Sequence, residues 1–99
     1  MALSKDDSKK LKQIGHHLKP VVTVGNNGLT DNVLMELNRA LNDHELIKIK
    51  LSHEDRDVVL AQLTQDVDLT VVQAIGNIAL VYRAAEKPNP KLSNILRHS

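Results

Sequence analysis

The sequence predicts an α/β domain, an α+β two-layer fold of order α-β-α-β-α-β-β, with a mixed four-stranded sheet and helices packed on one face. Three observations carry this prediction. Apolar residues recur at helical spacing in three separate segments. Leu46-Ile47-Lys48-Ile49-Lys50-Leu51 alternates with period two, as a half-buried strand does. Gly76-Asn77 joins two β-rich runs by the two-residue link of a hairpin.

Taken in order, the first helix is expected over about Lys5 to Leu18. Ser4 can cap it, and Asp7 three residues on resembles a capping box. Leu11, Ile14 and Leu18 make one apolar stripe, and Pro20 ends the helix. Val21 to Val24 read as a short strand that leads into Gly25-Asn26-Asn27-Gly28. Thr30 caps a second helix over about Asp31 to Leu41, whose buried face is Val33, Leu34, Leu37 and Leu41. Asn42 to Glu45 supply the turn out. In the next strand Ile47, Ile49 and Leu51 face the core, and Lys48 and Lys50 point to the opposite, open face.

Ser52-His53-Glu54-Asp55 looks like a second capping box and opens a third helix over about Glu54 to Gln65. Val59, Leu60, Leu63 and Val67 repeat the spacing of the second helix. Leu69 to Ile75 and Ile78 to Arg83 are the hairpin strands, with Gly76 at the position of positive φ. The two β-α-β crossovers are right-handed and set their strands parallel, and the hairpin adds an antiparallel member. Beyond Arg83 the pattern decays. The domain is therefore placed at residues 1–84 and a flexible tail at residues 85–99, with a turn of helix at Leu92 to Leu96.

Composition narrows function by exclusion. Ninety-nine residues supply one core, and 41% hydrophobic with 25% charged residues is the balance of a soluble globular protein. No run approaches the roughly 18 apolar residues of a spanning helix, and Met1 to Asp7 lack a secretory apolar core. A cytoplasmic protein without membrane contact is expected. The absence of cysteine removes disulfides and thiolate catalysis. Tyr82 is the only aromatic residue, so no platform for stacking bases can be assembled. The net charge is only +1, yet through Gly28 the lysines at 5, 9, 10, 12 and 19 outnumber Asp6 and Asp7 by three.

No catalytic constellation is visible. His16 and His17 are adjacent on a helix and point about 100° apart, which prevents joint chelation. His44 and His53 sit at element boundaries, and no dense ligand spacing occurs. No serine has a nucleophile-elbow context, and no P-loop lysine follows the glycines. The chain is expected not to be an enzyme, to need no cofactor or metal, and to take no small-molecule substrate. Gly25-Asn26-Asn27-Gly28 is the one stretch suited to binding. Small residues permit close approach, amide side chains donate, and the following helix N-terminus favours phosphate. A G-x-x-G loop of this kind clamps backbone nucleotides in KH-type domains. The same residues are also ordinary turn chemistry before a helix cap.

Longer segments carry a resemblance. Leu18-Lys19-Pro20-Val21-Val22 is followed by Val24-Gly25-Asn26-Asn27-Gly28-Leu29-Thr30. Further on come His44-Glu45-Leu46-Ile47-Lys48-Ile49-Lys50, Glu54-Asp55-Arg56, and Ile75-Gly76 with Leu80-Val81-Tyr82-Arg83. In this order they resemble the YhbY family, the stand-alone bacterial form of the CRM (chloroplast RNA splicing and ribosome maturation) domain, from about Ser4 to Arg83. The resemblance implies a fold similar to the C-terminal domain of translation initiation factor three. It implies an RNA-binding protein associated with precursors of the large ribosomal subunit, with ribosomal RNA as partner and a monomer expected. It maps a glycine loop onto Gly25, Asn26, Asn27 and Gly28, and a basic surface onto Lys19, Lys48, Lys50, Arg56 and Arg83. Two cations keep a structural alternative: Arg56 can pair with Asp55 or Asp57, and Arg83 can pair with a carboxylate or cap exposed carbonyls. The alternative function is a protein-interaction module on the ribosome whose loop is only a turn.

Overall fold

The computed structural model describes residues 4–52 and 56–97. Its elements are α1 (Lys5–Gly15), β1 (Pro20–Val24), α2 (Asp31–His44), β2 (Leu46–Leu51), α3 (Arg56–Asp66), β3 (Thr70–Ile75), β4 (Ile78–Tyr82) and a short α4 (Asn94–Arg97). The sheet order is β1-β2-β4-β3. β1 and β2 are parallel, whereas β4 is antiparallel to both of its neighbours. The α/β class, the mixed four-stranded sheet and the order through β4 agree with the expectation. The proposed capping box lies mostly outside the described residues, so only its Ser52 is placed.

Period two in β2 sorts the core as anticipated. Ile47, Ile49 and Leu51 are buried with Leu37 and Leu41 of α2, Val59 and Leu63 of α3, and Val22, Val24 and Val81 of the sheet. The placement of all helices on one face is corrected. Leu11 and Ile14 of α1 pack with Leu46 and Leu80, joined by Val72, Tyr82 and Ile95, on the opposite face. The reason lies in β4: Ile78-Ala79-Leu80-Val81 is apolar on both sides of the pleat, so both sides need cover. A bulge between Val71 and Gln73 also shifts the register of β3 beside that cover. α1 comes so close that a Cβ on Gly15 would stand 2.6 Å from the Leu80 side chain. On this face Lys50, toward the far end of β2, is exposed, and Lys48 is half-buried.

Element ends show which local signals operated. The Ser4 hydroxyl accepts from the Asp7 amide at 3.1 Å, and the Thr30 hydroxyl from the Val33 amide at 3.3 Å, as N-caps do. α2 runs one turn longer than expected and stops at Glu45, which adopts φ 62° without being glycine. The Glu45 carboxylate is buried, accepting from the Ser93 hydroxyl at 2.6 Å and the Ala85 amide at 3.0 Å. Those bonds compensate a carboxylate taken out of water. The segment expected to be a flexible tail thus turns back on the domain as far as it is described. Ser93 is fully buried, and the Asn94 amide donates to the Leu46 carbonyl at 2.6 Å.

Tyr82 reports on this corner. Burial pushes its phenol above the ordinary value, and the Glu45 and Asp7 carboxylates push in the same direction. The folded state therefore holds this proton more tightly than the unfolded chain. Stability from this group is intact below about pH 10 and is lost as pH rises through the folded pKa. Phenolate absorbance of the single tyrosine is expected to titrate with a midpoint above that of the urea-unfolded chain. Coincident midpoints would contradict the partly buried placement.

Candidate nucleic-acid interface

Gly25 to Gly28 form a tight turn closed by the Gly28 amide donating to the Gly25 carbonyl at 3.0 Å. Gly28 has φ +72°, and among the described non-glycine residues only Glu45 has a positive φ. Asn26 and Asn27 therefore occupy the two central positions at negative φ, a type I pattern with glycine at the fourth position. Of these four residues only Gly28 takes a positive φ. Gly25 needs glycine's freedom neither for its own dihedral nor for space among the described residues, because a Cβ built there meets none of them within 4 Å. Asn26 and Asn27 are exposed, and neither side chain has a hydrogen-bond partner among the described residues. The Thr30 amide donates to the Gly28 carbonyl at 3.0 Å, so the turn feeds straight into the α2 cap.

The sheet register assigns the other predicted residues to two ends. Thr23 pairs with Lys50 and Val24 with Leu51, which puts Lys50 at the loop end of the open face. The Gly76-Asn77 hairpin is at the same end, since the Leu51 amide donates to the Asn77 carbonyl at 2.7 Å. The Arg56 guanidinium donates to the Gly76 carbonyl, and its Nε lies 3.7 Å from an Asp57 carboxylate that is 87% exposed. A pair that exposed is worth little, so Arg56 keeps a cationic edge beside the hairpin. The loop, Lys50 and Arg56 thus share one end of the sheet.

Lys19 and Lys48 lie at the other end of β1, where Pro20 pairs with Lys48. Both line a groove together with His17, Val21, His44 and Asn94. Sequence reasoning did not anticipate that groove, because Asn94 reaches it from the far end of the chain. Arg83 joins neither group. Its guanidinium donates to Asn38 Oδ1 at 2.8 Å, the Asn38 carbonyl at 3.1 Å and Asn42 Oδ1 at 3.0 Å. A longer contact of 3.4 Å reaches the Asp68 carbonyl. These acceptors, two side-chain amide oxygens and two backbone carbonyls, belong largely to the last turns of α2.

Along α1, Lys5, Lys9 and Lys12 line one surface with Ser4 and Ser8. Their spacing, three and four residues apart, is the signal that gathers them on one helix face. Among the described residues no three His, Asp or Glu side chains converge as a metal ion requires. No helix there is long and apolar enough to cross a membrane.

Known proteins resemble this chain along most of its length. Residues 3–83 match the CRS1 / YhbY (CRM) domain. The chain is 55% identical to a Pseudomonas aeruginosa protein named "Probable RNA-binding protein PA4753", over 98% of this chain and 96% of the relative. A Haemophilus influenzae protein named "RNA-binding protein" is 41% identical over 91% of this chain and 94% of its own length. Among solved structures, the solution structure of the hypothetical protein SAV1595 from Staphylococcus aureus superposes with a TM-score of 0.73 at 22% identity. It covers 87% of this chain and 93% of that one, which shows the shared fold.

Proposed function

Because this chain belongs to the CRS1 / YhbY (CRM) domain family, we propose that it binds RNA by clamping the backbone against Gly25-Asn26-Asn27-Gly28. The RNA is ribosomal, within precursors of the large subunit, and the protein acts in ribosome assembly as a cytoplasmic monomer without a catalytic step. One observation carries the mechanism: Gly25 sits in open space at an unexceptional φ. Among the described residues its lack of a side chain makes room for nothing, whereas a ligand backbone lying on the loop needs that space. Exposed amides of Asn26 and Asn27 supply donors for phosphate or ribose oxygens. The N-terminus of α2 adds a partial positive charge, and Lys50 and Arg56 flank the contact. Recognition is of backbone and shape, since no aromatic residue besides Tyr82 is present to stack a base.

The test is ribosomal RNA binding over a salt series. Wild-type affinity is expected to fall linearly on logarithmic axes, as counterion release requires. Gly25→Leu is expected to keep its thermal stability and lose about tenfold in affinity, since a bulky side chain holds the RNA backbone away. That loss corresponds to about 1.4 kcal/mol. Gly28→Ala is the contrasting variant, costing about 1 kcal/mol of stability because its φ is positive. Wild-type affinity in Gly25→Leu would overturn the clamp, and salt-independent binding would overturn a phosphate-led mode.

A further inference from the structure

The carboxylate of Glu45 gathers the C-terminal segment at one corner of the domain. Besides its bonds to Ser93 and Ala85, the neighbouring His44 Nδ1 donates to the Leu92 carbonyl at 2.8 Å, and Asn94 is tied to the Leu46 carbonyl. Every one of these ties spans 40 or 48 residues of sequence. Ile95 adds an apolar anchor against the Leu11 and Ile14 cluster. This much ordering, around a buried carboxylate and a non-glycine residue at positive φ, is costly for a segment with no task.

Its consequence is the position of Asn94. Asn94 lines the groove at the start of β1 together with Lys19, Lys48, His17 and His44. Among the described residues no Asp or Glu lines this groove, whereas the one beside Arg83 is lined by Asp68 and Glu86 as well. Asn94 spends one amide hydrogen on Leu46, leaving a second hydrogen and an acceptor oxygen for a ligand. Two ammonium groups and an amide donor, without a carboxylate, suit a phosphodiester. β1 separates the groove from the glycine loop by five residues, roughly 16 Å of strand.

We infer that the C-terminal segment completes a second RNA-backbone site, formed by Lys19, Lys48 and Asn94, so that RNA is held at both ends of β1. The inference rests on the RNA-binding reading above and extends it to a segment beyond residue 83, where the family match ends. The loop alone grips a short stretch of backbone, and the groove fixes the direction in which the strand leaves it.

The experiment measures a fluorescein-labelled uridine dodecamer against the full chain between about 50 and 200 mM salt. Lys19→Ala/Lys48→Ala is expected to reduce the slope of log affinity against log salt by about 1.4, two single-strand contacts of about 0.7 each. Asn94→Ala removes no charge and is expected to weaken binding about threefold with the slope unchanged. Circular dichroism should show the wild-type fold in both. Wild-type affinity in Asn94→Ala overturns the role of the C-terminal segment, whatever the lysines do. Wild-type binding in both groove variants, alongside a loss in Asn26→Asp/Asn27→Asp, overturns the second site and leaves the loop clamp standing. If the wild-type protein binds neither this oligomer nor ribosomal RNA, the RNA-binding reading fails and takes the second site with it.

Discussion

Replacing Asn26 and Asn27 together by aspartate is expected to weaken ribosomal RNA binding about a hundredfold while leaving the fold intact. Both side chains are exposed and make no bond within the described chain, so their exchange removes no internal contact. Aspartate suits the centre of a type I turn and is favourable near the N-terminus of a following helix. The effect on binding has two parts. Two amide donors are lost, and two carboxylates are set against phosphates a few ångströms away. At a water-exposed surface each like-charge contact costs about 1 kcal/mol or somewhat more. With the lost donors the total is about 2.7 kcal/mol, which is the hundredfold change. Because the repulsion is screened over about 10 Å at 0.1 M salt, the gap between variant and wild type should narrow as salt rises. Filter binding of both proteins across the salt series, with circular dichroism on each, checks this. Equal affinities at low salt would remove the loop from the interface and favour the reading in which it is only a turn.

The parts of this molecule that were legible in the sequence are those governed by short-range rules. Alternation in Leu46 to Leu51 assigns a face to each residue because successive side chains in a strand point to opposite sides. Ser4 and Thr30 cap their helices through hydrogen bonds that span three residues. Gly76 takes positive φ in a two-residue hairpin because the twist of the flanking strands demands it. What escaped was long-range. The stripe Leu11, Ile14 and Leu18 shows that α1 has an apolar face, but not which side of the sheet receives it. The clue was Ile78 to Val81, a run apolar on both faces of β4.

Glu45 is the harder case. A non-glycine residue at φ 62° has no local signature. Its conformation is held by partners 40 and 48 residues away, at Ala85 and Ser93. The C-terminal segment, rich in Pro, Asn and Lys, therefore read as unstructured although polar ties bind it to the domain. The same limit applied to the candidate interface. The glycine loop is contiguous and was visible at once, whereas the Lys19, Lys48 and Asn94 groove exists only after the sheet and the C-terminal segment are in place.

Arg83 separates a cation that holds the fold from one that meets RNA, and Arg83→Ala is expected to act on stability alone. Its guanidinium ties the end of β4 to the last turns of α2 through Asn38 and Asn42. A cation there also offsets the negative end of the helix, worth about 0.3 to 1 kcal/mol. Hydrogen bonds from a charged donor contribute about 1.5 to 3 kcal/mol apiece when well sheltered. These are partly open to water and share one side chain, so the loss is about 2 kcal/mol in total. For a domain of this size that lowers the melting temperature by about 10 °C. The salt slope of RNA binding should stay at its wild-type value, because this cation is already spent inside the chain. A slope reduced by about 0.7 to 0.9 with an unchanged melting temperature would reverse the assignment and return Arg83 to the RNA surface. Lys50→Ala is the matched comparison. Its side chain is exposed at the loop end of β2, so its loss should appear in the slope and leave the melting temperature within experimental scatter.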